Sequence, residues 1–220
     1  MLKLNQAIGS YLEDPEGYTD LAEYSFKEEL KLGGWCPATI MSFLNTAVSS
    51  MPEDQYYLEI GSWCGRSLCA ALKNNDKRAI VIDPLDHIAG GKQVFDEWSR
   101  NVRSAGIEDR VALHRVRAEQ FIGDLPSIGI FFYDGSHDSG HTYEGLSRYE
   151  RFLADEAIII VDDYFIYGGN NQQVLPGHSL NIQDPVKADT DRWIAENKGK
   201  ISMIHITKFL HGQAIIHYKR

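Results

Sequence analysis

An alternation of two kinds of segment limits this chain's fold more than any other feature. Short runs rich in β-branched and aromatic residues fall at Tyr56–Ile60, Ala79–Asp83, Val111–Arg115, Ile128–Tyr133 and Ala157–Val161, and the stretches between them carry helical spacing. Strands that alternate with helices in this way form parallel βαβ units. The spacing predicts helices over Ser67–Asn74, Lys92–Ala105 and Thr142–Ala154, and a short turn near Glu119–Leu125. In the third helix Leu146, Tyr149 and Phe152 share one face, while Arg148, Glu150 and Arg151 can face water.

The flanks complete the plan. The first 35 residues are polar and irregular, and Ala38–Ser49 then places Ile40, Phe43, Leu44 and Ala47 on one helical face behind Pro37. After the fifth run come a Gly/Asn/Pro-rich stretch, Ile166–Pro185, a helix over Val186–Asn197, and strands at Ile201–Ile206 and Gln213–Tyr218. The link between those strands, "TKFLHG", is too short for a parallel crossover, so they pair antiparallel. The expected architecture is α/β: a doubly wound, Rossmann-like, seven-stranded sheet with an antiparallel last strand. At 220 residues it forms a single domain over 51–220, preceded by a helical extension over 1–50.

Charge and composition remove several classes of function. A net charge of −9 gives no basic footprint for nucleic acid. No apolar run reaches the roughly 20 residues of a membrane helix, and the N-terminal stretch, acidic by Glu13, resembles neither a secretory signal nor an Arg-rich transit peptide. Cys36, Cys64 and Cys69 form no C-x-x-C pair, which suits a reducing compartment, and the expected location is cytoplasmic. They read as small core or loop residues.

Two loops carry the chemistry. "LEIGSWCGRS" joins the first strand to the first helix of the sheet, with Glu59, Gly61 and Gly65 at the turn. Glycines there let backbone pass close to a ligand, and ligands collect beyond the carboxyl ends of parallel strands. The spacing is not G-x-G-x-x-G, because Trp63 stands where the middle glycine would admit a pyrophosphate. A dinucleotide such as NAD therefore fits poorly. The second strand ends in "VIDP", placing Asp83 where a carboxylate grips ribose hydroxyls. The plainer alternative is a tight βα turn and a helix-capping Asp83, with no ligand.

"FFYDGSHDSGH" (Phe131–His141) and "IIIVDDY" (Ile158–Tyr164) end apolar strands on carboxylates. With "LEIGSWCGRS", "VIDP" and "RAEQF", in this order over Tyr56–Tyr164, they resemble class I S-adenosylmethionine-dependent methyltransferases. The likeness is to the small-molecule O-methyltransferases grouped with macrocin O-methyltransferase and cephalosporin-hydroxylase-related sequences. By that resemblance Glu59, Gly61, Ser62 and Gly65 border the methionine end of S-adenosylmethionine, and Ser67 caps the helix beside it. Asp83 then holds the ribose, Arg117, Ala118 and Glu119 flank the adenine, and Asp134 closes the cofactor site.

Asp134 ends the fourth strand and Asp162 and Asp163 end the fifth, on neighbouring strands about 5 Å apart. Like charges that close share a proton or a cation. Oxygen ligands without cysteine suit Mg²⁺, with Mn²⁺ or Ca²⁺ as substitutes, and the resemblance implies the same metal set, Asp134, Asp162 and Asp163. Such a cation would acidify a hydroxyl on a small-molecule acceptor, and His137 can then collect the proton. Some metal-dependent relatives carry an acid where this chain has Ser136, which leaves His137 or His141 as the base. The bland alternative for the acids is N-capping by Asp134 and backbone hydrogen bonding by Asp162 and Asp163.

The reading is an O-methyltransferase whose Ile166–Pro185 loop forms a lid over substrate. The competing reading is a cofactor-binding scaffold without turnover, suggested by Ser136. The resemblance also admits a homo-oligomer built through N-terminal helices.

Overall fold

Each of the five β-rich runs becomes a strand of the sheet, with helices between them. The structure, a computed structural model, describes residues 25–89, 92–165, 184–207 and 212–220. The chain divides into two compact units, 1–117 and 118–220.

The first unit contains helix α1 (Ala38–Ser49), strand β1 (Tyr56–Ile60), helix α2 (Arg66–Ala71) and strand β2 (Ala79–Ile82). A hairpin of β3 (Ile88–Ala89) and β4 (Lys92–Gln93), helix α3 (Val94–Ser104) and strand β5 (Val111–His114) follow. The second unit contains β6 (Ile128–Tyr133), α4 (His141–Tyr149), β7 (Leu153–Val161), α5 (Pro185–Glu196), β8 (Ile201–Ile206) and β9 (Ala214–Lys219).

Seven of these strands make one sheet in the order β5-β2-β1-β6-β7-β9-β8. β1 runs parallel to β2, β2 to β5, and β6 to β7, while β9 runs antiparallel to both β7 and β8. This is the expected seven-stranded sheet with its last strand reversed.

All four residues of β2 and all six of β6 are buried, as strands covered on both faces must be. Phe131 and Phe132 are fully enclosed, and burying each contributes about 1.5–3 kcal/mol. Outside the ladders, polar side chains satisfy the backbone. Asn45 on α1 donates to the carbonyls of Ala70 (2.9 Å) and Lys73 (2.8 Å), closing the otherwise open C-terminal end of α2.

Several elements differ from the sequence expectation: helix α2, expected over Ser67–Asn74, spans Arg66–Ala71, and β2, β5, β9 and α5 each shift by one residue at one or both ends. Helix α3 starts at Val94, because Lys92 and Gln93 belong to the hairpin. Helix α4 stops at Tyr149, followed by a single 3₁₀ turn over Glu150–Phe152. β7 begins at Leu153, four residues before Ala157, since Leu153 pairs with Ile128 and Glu156 pairs with Lys219. The expected lid falls almost wholly on residues 166–183, which lie outside the described residues, as do residues 1–24 of the expected extension.

Candidate functional site

In the first unit the site is a turn forced into left-handed backbone. Gly61 (φ 84°), Trp63 (φ 47°) and Gly65 (φ 80°) all lie in that region between β1 and α2. Gly65 is the N-cap of α2, so the helix is not capped by Ser67 as expected. A Cβ on Gly65 would come 3.1 Å from Cδ1 of Trp98, so both conformation and space require glycine there. Trp98 in turn donates through Nε1 to Oγ of Ser62 (3.1 Å), and Asn101 donates to the carbonyl of Cys64 (2.9 Å). Helix α3 thus fixes the turn from one side.

Asp83 fixes it from the other. Its Oδ2 accepts the backbone N–H groups of Ser62 (2.7 Å) and Trp63 (3.0 Å), and its Oδ1 accepts that of Leu85 (2.8 Å). Asp83 therefore braces the turn rather than capping a helix, since the N-cap of α2 is Gly65, in the same place where the ribose role was expected.

Glu59 ends β1 fully buried and accepts from Tyr57 Oη (2.5 Å) and Ser67 Oγ (3.0 Å). Burial pushes its carboxyl up to about 7, against the lowering effect of the Tyr57, Ser62 and Ser67 hydroxyls. Glu59, Gly61, Ser62, Gly65, Ser67 and Asp83 thus form one connected cradle.

Arg66 opens α2 and straps the preceding segment to it. Its guanidinium donates to the carbonyls of Leu30 (3.1 Å), Leu32 (3.0 Å) and Cys36 (3.4 Å). Lys73 at the other end of α2 holds Glu29 (2.7 Å) and the carbonyl of Ser25 (2.7 Å). Sequence spacing gave no sign of this strap.

The second unit carries the adenine-side and acid residues. Ala118 and Glu119 lie in a 3₁₀ turn, and the Ala118 carbonyl accepts from Tyr149 Oη (2.8 Å). Parallel pairing of Tyr133 with Val161 brings the ends of β6 and β7 level, so Asp134, Asp162 and Asp163 follow side by side. Asp163 has φ 54°, a conformation most side chains avoid, and it lies at this rim.

Ligand atoms of Asp134, His137 and Asp163 all lie within 4.8 Å of one another. His137 Nε2 lies 3.2 Å from Oδ2 of Asp163 and 3.9 Å from Oδ1 of Asp134. The closer contact is an ion pair by distance without hydrogen-bond alignment, so this buried Nε2 has no hydrogen-bond partner. The Asp134 carboxylate, and then that of Asp163, push His137 up to about 10 against the effect of burial. Burial raises Asp134 well above the usual carboxylate range, with the charges of Asp162 and Asp163 adding to it. These are the electrostatics of acids compensated by a single imidazolium.

Asp162 is turned to other partners. Its Oδ1 accepts from Gln213 Nε2 (2.8 Å) and from the Asp163 backbone N–H (3.0 Å), while Thr207 Oγ1 donates to Gln213 Oε1 (2.5 Å). Burial, and then the Asp163 charge, lift Asp162 to about 6. Sequence reading missed Gln213 and Thr207. The signal was the antiparallel register, in which Val161 opposes Ala214 and so places Gln213 beside Asp162. Ser136 Oγ lies 2.8 Å from Nδ1 of His141 and donates to Asp138 (3.2 Å). His87 is exposed beside Asp86 and 5.3 Å, ring to ring, from Trp63.

The two carboxylates suit a hard cation, and the imidazole nitrogen beside them lacks a hydrogen bond.

The fold and these two rims define the class of protein the chain is similar to. A family model described as a methyltransferase domain matches residues 58–164, the span from β1 to the end of the acid rim. An O-methyltransferase from Bacillus cereus, solved in complex with S-adenosylhomocysteine, superimposes with a TM-score of 0.64 at 15% identity, covering 97% of this chain and 96% of that one. The O-methyltransferase TomG from Streptomyces achromogenes, involved in tomaymycin synthesis and solved with S-adenosylmethionine, gives 0.61 at 16% identity over 93% and 90%. The methyltransferase PaMTH1 of Podospora anserina, bound to S-adenosylhomocysteine, gives 0.56 at 17% identity over 93% and 87%. Comparison with curated proteins returns no match. At such identities the likeness is one of fold: this chain has the class I methyltransferase fold. No helix among the described residues is long and apolar enough to cross a membrane.

Proposed function

We propose that the chain is an S-adenosylmethionine-dependent methyltransferase that methylates a hydroxyl of a small molecule with help from a divalent cation. The observation that carries this reading is the convergence of Asp134, His137 and Asp163 at strand ends of a methyltransferase fold. The cradle from Glu59 to Ser67, with Asp83, would hold the methionine and ribose parts of the donor, and Ala118 and Glu119 the adenine. Asp134 would border the donor as well as the cation.

Asp134 and Asp163 would hold Mg²⁺ or a similar ion, with Asp162 beside them and oriented by Gln213. Bound there, such an ion supplies a lowered pKa to a coordinated acceptor hydroxyl. The chain's own residues do the rest. By holding that ion Asp134 and Asp163 would set where the acceptor oxygen lies, and His137 would take its proton. In the cation-free protein His137 is already protonated, so its work as a base belongs to the cation-loaded form. The small-molecule O-methyltransferases, including the macrocin type, are the group this chemistry fits best.

The test is transfer of a labelled methyl group from S-adenosylmethionine to a panel of catechols, phenols and sugars, with and without EDTA. Turnover that EDTA and Asp163→Asn each abolish supports the whole reading. Turnover indifferent to both removes the cation from it.

One observation favours a second reading, a cofactor-binding scaffold. The side chain two residues beyond Asp134 is Ser136, hydrogen-bonded within its own loop, rather than an acid. Donor binding by calorimetry with no transfer across the panel would favour the scaffold.

A further inference from the structure

From the outer strands of the second unit we infer a site for a soft monovalent cation, copper(I) or silver(I), held by His205, His217 and Met203. Among the described residues it lies apart from the acid rim and is independent of the methyl-transfer reading.

The antiparallel ladder assembles it. Met203 on β8 pairs directly with His217 on β9, and His205, two residues further along β8, projects from the same face as Met203. The rings of His205 and His217 lie 5.6 Å apart, centroid to centroid, at 62°. Two imidazoles that each bind one ion through a ring nitrogen at about 2.0 Å have centroids about 5.5–6.4 Å apart for wide bond angles. The observed 5.6 Å falls within that range.

The third donor is at hand. Nε2 of His205 lies 2.7 Å from Sδ of Met203. An ion bound to both needs them about 3.5 Å apart, for bonds of about 2.0 and 2.3 Å. Met203 is 45% exposed, and a flexible thioether opens by that amount with a small rotation.

The buried member shows that something is missing. His217 is only 5% exposed, yet its Nε2 is enclosed without a hydrogen-bond partner. A buried polar nitrogen left this way costs about 1–3 kcal/mol. Burial lowers the pKa of both rings, so each keeps a lone pair free at neutral pH. The two neutral imidazoles are borderline donors that accept copper or zinc, and the uncharged, soft thioether is the member that favours copper(I) over zinc or magnesium.

The test uses the full chain, reduced and anaerobic, competing with bicinchoninate for copper(I). It is run in a Cys36→Ser background because Cys36 is a partly buried thiol and thiolates compete for this ion. The expected result is one copper(I) per chain, with shifts of the His205 and His217 ring resonances in NMR. Met203→Leu should weaken copper(I) binding by about tenfold or more while leaving zinc(II) binding unchanged, and His205→Ala should abolish the uptake. Both variants lie on the outer strand, so circular dichroism can establish that each remains folded, which a change at buried His217 does not guarantee. No stoichiometric uptake, or uptake that survives both variants, overturns the inference.

Discussion

His137 Nε2 lies 3.2 Å from Oδ2 of Asp163, and this contact supplies the positive charge that the acid rim otherwise lacks. An imidazole whose pKa is higher in the folded than in the unfolded state stabilises at low pH, and that stabilisation is lost as pH rises. With 6.5 as the ordinary value and about 10 in the fold, the contribution is complete below pH 6.5 and disappears between pH 6.5 and 10. His137 is 33% exposed and Asp163 21%, which limits the worth of the pair to about 1–2 kcal/mol. His137→Gln should therefore lower stability at pH 6.5 by about that amount in EDTA, with a gap that closes towards pH 10. Urea unfolding of both proteins across this range checks it, and a gap that does not change with pH refutes it.

Glu59 titrates in a different window. Its folded value, about 7, lies above the ordinary 4.5, so the folded state holds a proton that the unfolded chain has released. Stability from this group is full below pH 4.5 and falls as pH rises to 7. Glu59→Gln removes that fall. The variant should gain on the wild type by on the order of 2–4 kcal/mol between pH 4.5 and pH 8, read as the change in urea-derived stability difference. Equal pH dependence in the two proteins would show that Glu59 is ionised as readily in the fold as out of it.

Where the sequence is locally decisive, its reading holds to the residue. Tyr56–Ile60 and Ile128–Tyr133 are strands with those bounds, and Ala38–Ser49 is a helix with those bounds, because in each case the apolar pattern alone sets the ends. β7 begins earlier than its apolar run because Asp155 and Glu156 are charged and exposed, which resembles a loop. What keeps them in the strand is long-range: Glu156 lies opposite Lys219 and forms an ion pair with it at 3.2 Å. The β3–β4 hairpin was not read from the sequence, because strands of two residues carry too little pattern to compete with the helical spacing from Lys92. At the site, the carboxylates were legible as strand-end residues. The contacts that hold the site were not legible, because Gln213 reaches Asp162, Trp98 reaches Ser62 and Arg66 reaches Leu32 across 51, 36 and 34 residues of sequence.

Gly65→Ala tests whether the turn is as constrained as its geometry says. The added Cβ meets Trp98 at 3.1 Å, and φ 80° is unfavourable for alanine. Together these should cost about 1–3 kcal/mol and weaken S-adenosylmethionine binding in calorimetry. Gly106→Ala is the control, since its φ of 66° carries the same backbone penalty but nothing lies within 4 Å of the new Cβ. Equal losses of donor affinity in the two variants would show that closeness to Trp98 is immaterial.

Gln213 offers the sharpest test of the acid rim, because it touches the rim only through Asp162. Its amide donates to Oδ1 of Asp162 at 2.8 Å, and Thr207 fixes which end of the amide faces the carboxylate by donating to its oxygen. Gln213→Ala removes that orientation and one of the contacts that lower Asp162 towards the ordinary range, so the Asp162 carboxyl should rise above its present value of about 6. If the rim holds a divalent cation, the variant should bind Mg²⁺ about 10- to 100-fold more weakly, as is usual when a partner of a ligand is lost. Donor binding at the glycine turn should be unchanged. Calorimetry with Mg²⁺ and with S-adenosylmethionine separates the two effects: a fall in donor affinity without a fall in Mg²⁺ affinity would place Gln213 in general folding rather than at the rim.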